Sequence, residues 1–219
     1  MTETTSSSFT LIAALLCLGA ACSHVDHVAN GDSDAKRVGA HPSARPFEDV
    51  VVTTQDSRQV RFYRDLVKGK TVVISIMYSS CSTVCPIQAA RLASLQKLLG
   101  DGLWKEFALI SITLDPVADS PERLKAWAKR FGAKPGWTMV TGTEDDILKI
   151  VGQLLGLTNL IKDQHTPQFL VGDDVHDSWE QIDGVVEPAE LFAAMQKVRN
   201  GRGVVIPEEY AVQPRVAPR

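Results

Sequence analysis

The stretch TVVISIMYSSCSTVCP, Thr71 to Pro86, decides how this 219-residue chain is read. Its first half is largely apolar and β-branched, the composition of a strand buried on both faces. Cys81 and Cys85 then stand where that strand gives way to a helix, in which Leu92, Leu95 and Leu99 recur at helical spacing before Gly100 ends it. Two thiols four residues apart at a helix start can close a disulfide or clamp one soft metal ion. The unpaired N–H groups and the positive end of the helix dipole favour a thiolate there.

Working outward, strands and helices alternate. Upstream, Val50 to Thr53 and Gln59 to Tyr63 read as short strands flanking a turn at Gln55-Asp56-Ser57. Downstream, Phe107 to Thr113 is a second buried strand. Ser120-Pro121 supplies an N-cap and a first-turn proline, and Leu124, Trp127, Ala128 and Phe131 line one helix face before Gly132. Trp137 to Val140 is a short strand. A third helix starts at Thr143 and carries Ile147, Ile150, Val151, Leu154 and Leu155. Gln168 to Val171 is a further strand with a hairpin partner around Trp179 to Ile182, and Pro188 opens a last helix bearing Leu191, Phe192, Met195 and Val198. This order predicts an α/β fold that resembles a thioredoxin-like α/β/α sandwich with N-terminal added strands and a late β-hairpin.

The ends read differently. Residues 1–22 form a signal or lipoprotein-like segment, 23–45 a linker, 46–200 the folded domain and 201–219 a disordered tail. The uncharged run Phe9 to Ala21 is shorter than the roughly 20 residues a membrane span needs. Gly19-Ala20-Ala21-Cys22 resembles a lipoprotein cleavage box, so the chain is expected to be tethered to the membrane through lipid on Cys22 or by a short uncleaved anchor. Two features depart from that box: the expected leucine is displaced to Leu18, and Met1 to Thr10 contains Glu3 and no Lys or Arg. Either tether places the domain on the extracytoplasmic, periplasmic side of the cell membrane, where disulfides are permitted. With Cys22 lipidated and Cys17 removed, Cys81 and Cys85 are the thiols left to the domain. A net charge of −3 without any Lys/Arg block argues against a nucleic-acid partner, and the domain is expected to be a monomer.

A disulfide needs Cα atoms roughly 4.4–6.8 Å apart, which residues i and i+4 entering a helix approximately meet. The three-residue spacer leaves more room between the sulfurs than the usual two-residue oxidoreductase spacing, and extra room suits a metal. Two thiolates make an incomplete site. His165, in the loop Asp163-Gln164-His165-Thr166-Pro167 before the Gln168 strand, is the best further candidate. His24, His27 and His41 lie in the linker, His176 follows a turn, and Asp115 and Asp119 read as turn and cap residues. A Cys₂His set suits Cu(I), and with added ligands Cu(II); structural zinc would want a fourth protein ligand. Both thiols must lose their protons to bind, so copper uptake releases protons and a disulfide removes two ligands at once.

The segments Tyr78-Ser79-Ser80-Cys81-Ser82-Thr83-Val84-Cys85-Pro86, Ser111-Ile112-Thr113-Leu114-Asp115-Pro116, Asp119-Ser120-Pro121-Glu122, Phe131-Gly132, Gly136-Trp137 and Thr141-Gly142, with His165 late, resemble the Sco/SenC family from about Phe47 to Arg199. The resemblance implies a thioredoxin-like domain outside the cytoplasmic membrane that binds copper through Cys81, Cys85 and His165. It implies a metallochaperone for the copper centre of cytochrome c oxidase, with that enzyme's copper-bearing subunit, or another copper or thiol client, as partner. The alternative is a membrane-tethered thiol–disulfide oxidoreductase in which Cys81 attacks and Cys85 resolves. Some positions depart from the family pattern: Gln164 replaces the usual Asp before the histidine, and Ser80 and Ser82-Thr83 replace the usual His and Pro-Asp. Thr166-Pro167 resembles the cis-proline loop of thioredoxins, which would favour thiol exchange. A peroxidase is disfavoured because Tyr78 stands where peroxiredoxins carry threonine.

Overall fold

A computed structural model of the chain describes residues 49–103, 105–160, 162 and 166–200. The leader, linker and tail expectations, with Cys22, His24, His27, His41 and His165, fall on residues outside that set. The elements in chain order are β1 (Val51–Thr54), β2 (Gln59–Arg61), β3 (Thr71–Met77), α1 (Val84–Leu99), β4 (Phe107–Thr113), α2 (Pro121–Arg130), β5 (Trp137–Thr141), α3 (Glu144–Leu155), β6 (Gln168–Asp173), β7 (Ser178–Asp183) and α4 (Pro188–Asn200).

The strands form one sheet in the order β2-β1-β5-β4-β3-β6-β7. β3, β4 and β5 run parallel, while β6 lies antiparallel to β3 and β1 antiparallel to β5. The crossovers β3-α1-β4 and β4-α2-β5 step the same way across the sheet, so right-handed connection puts both helices on one face. Residues of α1, α2 and α4 accordingly share a core with Val73, Met77, Leu109, Trp137, Met139, Phe169 and Val171. The alternate residues Val72, Ile74, Ile76, Ile110, Ile112, Val140 and Leu170 face the other way, onto α3 and a turn after β2. A period-2 alternation with both faces apolar explains why β3 is buried at every position.

Three local choices follow from side chains. The expected strand Gln59 to Tyr63 stops at Arg61, and Phe62–Val67 forms a π-helical turn instead. There the Arg61 amide donates to the Asp65 carboxylate at 2.8 Å, and Phe62, Leu66 and Val67 turn inward together. In the core, Trp137 Nε1 donates to Ser111 Oγ at 3.0 Å, and Ser111 lies 2.9 Å from Ser75 Oγ, so three buried polar groups satisfy one another. Gly172 faces Trp179 across the β6–β7 hairpin, and a Cβ on it would lie 2.0 Å from the indole ring.

Candidate metal and thiol site

β3 and β4 end, and β6 begins, at the same edge of the sheet: Leu114 donates its amide to Met77 O at 2.8 Å, and Ser75 pairs with Phe169. Three connections therefore converge there. They are the thiol loop after β3, the turn from Asp115 to Asp119 after β4, and the segment that leads into β6. Ligand sites of open α/β sheets gather at the carboxyl ends of their parallel strands for this reason.

Cys81 lies in the loop and Cys85 within the first turn of α1, which begins at Val84, before the expected start. Pro86 does not delay the helix because first-turn amides have no intrahelical partner to lose. Cys81 is 6% exposed and Cys85 1%, and both thiols are free. Thr83, the N-cap of α1, makes no side-chain bond to the helix; its hydroxyl lies 3.6 Å from Cys81 Sγ.

The two sulfurs are held in opposite protonation states. Burial pushes the Cys81 thiol up, but the backbone amides of Cys85 and Thr83, then the side chains of Cys85 and Thr83, outweigh it and bring it down to about 6. Cys85 is driven up to about 12, first by burial and then by the Cys81 sulfur beside it; an amide at Tyr78 opposes this. At neutral pH the pair is thus one thiolate and one thiol sharing a proton. The outer sulfur is a nucleophile and a soft ligand, and the inner one holds its proton until something replaces it.

The connections are tied to one another by Asp119 and Asp115, expected as turn and cap residues, and by Lys162 and Gln88, which carry no mark in the sequence. Asp119, 1% exposed, accepts from the Ser79 amide at 3.0 Å, the Thr113 hydroxyl at 2.6 Å and the Ser79 hydroxyl. It does more than cap a turn: it joins the turn after β4 to the thiol loop. Asp115 caps its own turn through the Ala118 amide and binds Lys162 Nζ at 2.5 Å. That ammonium also lies 5.7 Å from the ring centroid of Tyr78. On the other side, Gln88 of α1 donates to Gln168 O at 3.3 Å, while its own Oε1 is buried without a partner.

The remaining expectations divide. His176 sits at the far end of β6, hydrogen-bonded to Asp173 at 2.7 Å, where Asp173 pairs with Thr71 at the start of β3; the fold separates it from the thiols. The Thr166–Pro167 bond is trans, since no described peptide is cis, which removes the cis-proline expectation. Among the described residues no group of three or more potential ligands gathers, and His165 is not one of them.

The SCO1/SenC family model matches residues 43–179, more than half of the chain. The chain belongs to the SCO1/SenC family. Its relatives include the SCO1 protein homolog of Bacillus subtilis, 28% identical over 97 residues, 43% of this chain and 48% of that one, so the match spans about half the relative's length. A SCO1/SenC family lipoprotein from Bacillus anthracis shares the fold with a TM-score of 0.59 at 25% identity, over 75% of this chain and 98% of that one. BsSco, whose family is described as cytochrome c oxidase assembly proteins and in which a disulfide switch was identified, matches with a TM-score of 0.58 at 20% identity, over 71% and 94%. Copper-bound yeast Sco1 matches with a TM-score of 0.56 at 19% identity, over 72% and 96%. At 20% and 19% the likeness is one of fold, and that fold is the thioredoxin-like one expected. No described helix of this SCO1/SenC chain is long and apolar enough to cross a membrane.

Proposed function

We propose that this chain binds copper and delivers it, as a metallochaperone, toward the copper centre of cytochrome c oxidase. One observation carries the reading: in a SCO1/SenC chain, two free facing thiols, one already ionised, lie where three connections converge. Two soft sulfur donors fit Cu(I). The copper-bound form of yeast Sco1 and the oxidase-assembly description of the BsSco family point the same way. Cys81, Cys85 and His165 are the ligands in this reading. Support for His165 comes from its described neighbours: Lys162 is fastened beside Tyr78, and Gln168 is fastened to Gln88 of α1. Copper bound there would be carried as cargo by a site that oxidation to a Cys81–Cys85 disulfide empties. The domain would work outside the cytoplasmic membrane, tethered at its N-terminus, as the lipoprotein relative suggests.

A second reading is favoured by the asymmetry of the sulfurs. An outer thiolate at about 6 and an inner thiol at about 12 are the attacking and resolving groups of a thiol–disulfide reductant for partner cysteines. The test is anaerobic Cu(I) titration of reduced wild-type and His165→Ala protein against a chromophoric chelator, alongside the rate of reducing a model disulfide. One-to-one binding lost in His165→Ala, with reduction retained, supports the copper site. Undiminished binding in His165→Ala removes the histidine from it, and a wild type that takes up no Cu(I) leaves the reductant reading alone.

A further inference from the structure

A buried carboxylate stands behind the thiol loop. An ionised group at 1% exposure costs several kcal/mol unless donors satisfy it, and Asp119 has three. Two of the three come from a single residue, Ser79, two places before Cys81. The Cys81 amide in turn donates to Tyr78 O at 3.1 Å, which closes residues 78–81 into a turn. The third donor, Thr113, ends β4 and anchors the carboxylate to the sheet. Asp119 is itself held by its amide to Asp115 O at 2.8 Å, and Asp115 is pinned by Lys162. The carboxylate is therefore a fixed post, and the thiol loop hangs from it by both the backbone and the side chain of Ser79.

We propose that Asp119 is a positioning residue for Cys81: acting through Ser79, it holds the turn from which the outer sulfur reaches the Thr83 hydroxyl at 3.6 Å. The reduced pair, not the disulfide, is the state this post holds. Releasing it should favour the disulfide. The exchange reaction reads this directly, since two glutathione thiols give up two electrons and two protons to reduce the disulfide, yielding the dithiol and oxidised glutathione.

The variants are Asp119→Asn, Ser79→Ala and Thr113→Val in the full chain. Each is equilibrated with glutathione buffers and trapped with a thiol reagent, and its melting temperature is recorded. Asp119→Asn is expected to move the dithiol–disulfide equilibrium about tenfold toward the disulfide, about 30 mV more negative. Ser79→Ala should move it in the same direction by less, and Thr113→Val, which removes a donor on the sheet side, should lower the melting temperature with at most a twofold change. The Cu(I) affinity of Asp119→Asn should fall by about 10- to 100-fold, the range for removing a group that orients metal ligands. Only that last readout rests on the copper reading. If Asp119→Asn proves unfolded, Ser79→Ala decides. A dithiol–disulfide equilibrium within twofold of wild type in folded Asp119→Asn and Ser79→Ala, or equal shifts from Ser79→Ala and Thr113→Val, overturns the proposal. A wild type that binds no copper overturns the copper reading and leaves Asp119 judged by the potential.

Discussion

Replacing Cys85 by alanine separates the two sources of the Cys81 thiolate. In the wild type the thiol falls from 9.0 to about 6, on the order of 4 kcal/mol in favour of the ionised form at about 1.4 kcal/mol per pH unit. Burial works against it, and the strongest favourable contributions are the amides of Cys85 and Thr83, ahead of the two side chains. Cys85→Ala keeps both amides and removes the S–H donor. A hydrogen bond to a charged group contributes about 1.5 kcal/mol, so the Cys81 value should climb by roughly one pH unit and no more. The assay is the rate of iodoacetamide reaction at Cys81, followed by peptide mass spectrometry from about pH 4.5 to 9.5. Only the thiolate reacts, so the wild-type rate should rise with pH through about 6 and then level off, while that of Cys85→Ala should rise through roughly 7. A wild-type midpoint above 8, or an alanine variant that returns to 9, would refute the amide account.

Other consequences can be measured with equal economy. Cys85, held at about 12, should stay unmodified at neutral pH under conditions that label Cys81 fully, checked on the same peptides. Gly172→Ala should destabilise the fold by at least about 2 kcal/mol in denaturant unfolding because its Cβ meets the Trp179 ring at 2.0 Å; in a Trp179→Ala background most of that cost should vanish. Ser111→Ala strands the Trp137 indole N–H and the Ser75 hydroxyl, for a loss of roughly 2–6 kcal/mol at about 1–3 kcal/mol per orphaned group. Cu(I) at one hundred times its dissociation constant should stabilise reduced protein by about 2.7 kcal/mol. Cys81→Ser should abolish that gain and His176→Ala should not.

Much of the architecture is legible in the chain because each element carries its own local mark. Ser120 and Thr143 are N-caps with side chains that accept from the third residue on, as their positions before helical periodicity suggest. The seven-residue strands β3 and β4 declare themselves by continuous apolar composition. The thiol pair is visible for the same reason, since two cysteines at a strand–helix junction need no distant partner to be noticed. What stays hidden is whatever depends on a distant partner. Asp119 looks like any residue before a Ser-Pro cap, and its meaning comes from Ser79, 40 positions away. Lys162 acquires its role from Asp115, 47 positions away. The π-helical turn after β2 is missed because Gln59 to Tyr63 alternates like a strand, and only the Asp65 carboxylate and the second core redirect it. The proline after His165 is trans although its neighbourhood imitates a cis-proline loop.

β3 has a hydrogen-bonded neighbour on each side and is buried along its whole length. Its amides should exchange with solvent deuterium only when the entire domain opens, on the slowest timescale the molecule has. Beyond the end of that strand the Ser79 and Cys81 amides are held by the Asp119 carboxylate and by Tyr78 O, bonds that can open locally without the sheet coming apart. The reactive sulfur thus sits at a boundary in lifetime, between a backbone that opens with global unfolding and a turn whose release needs the Asp119 and Tyr78 bonds alone to break.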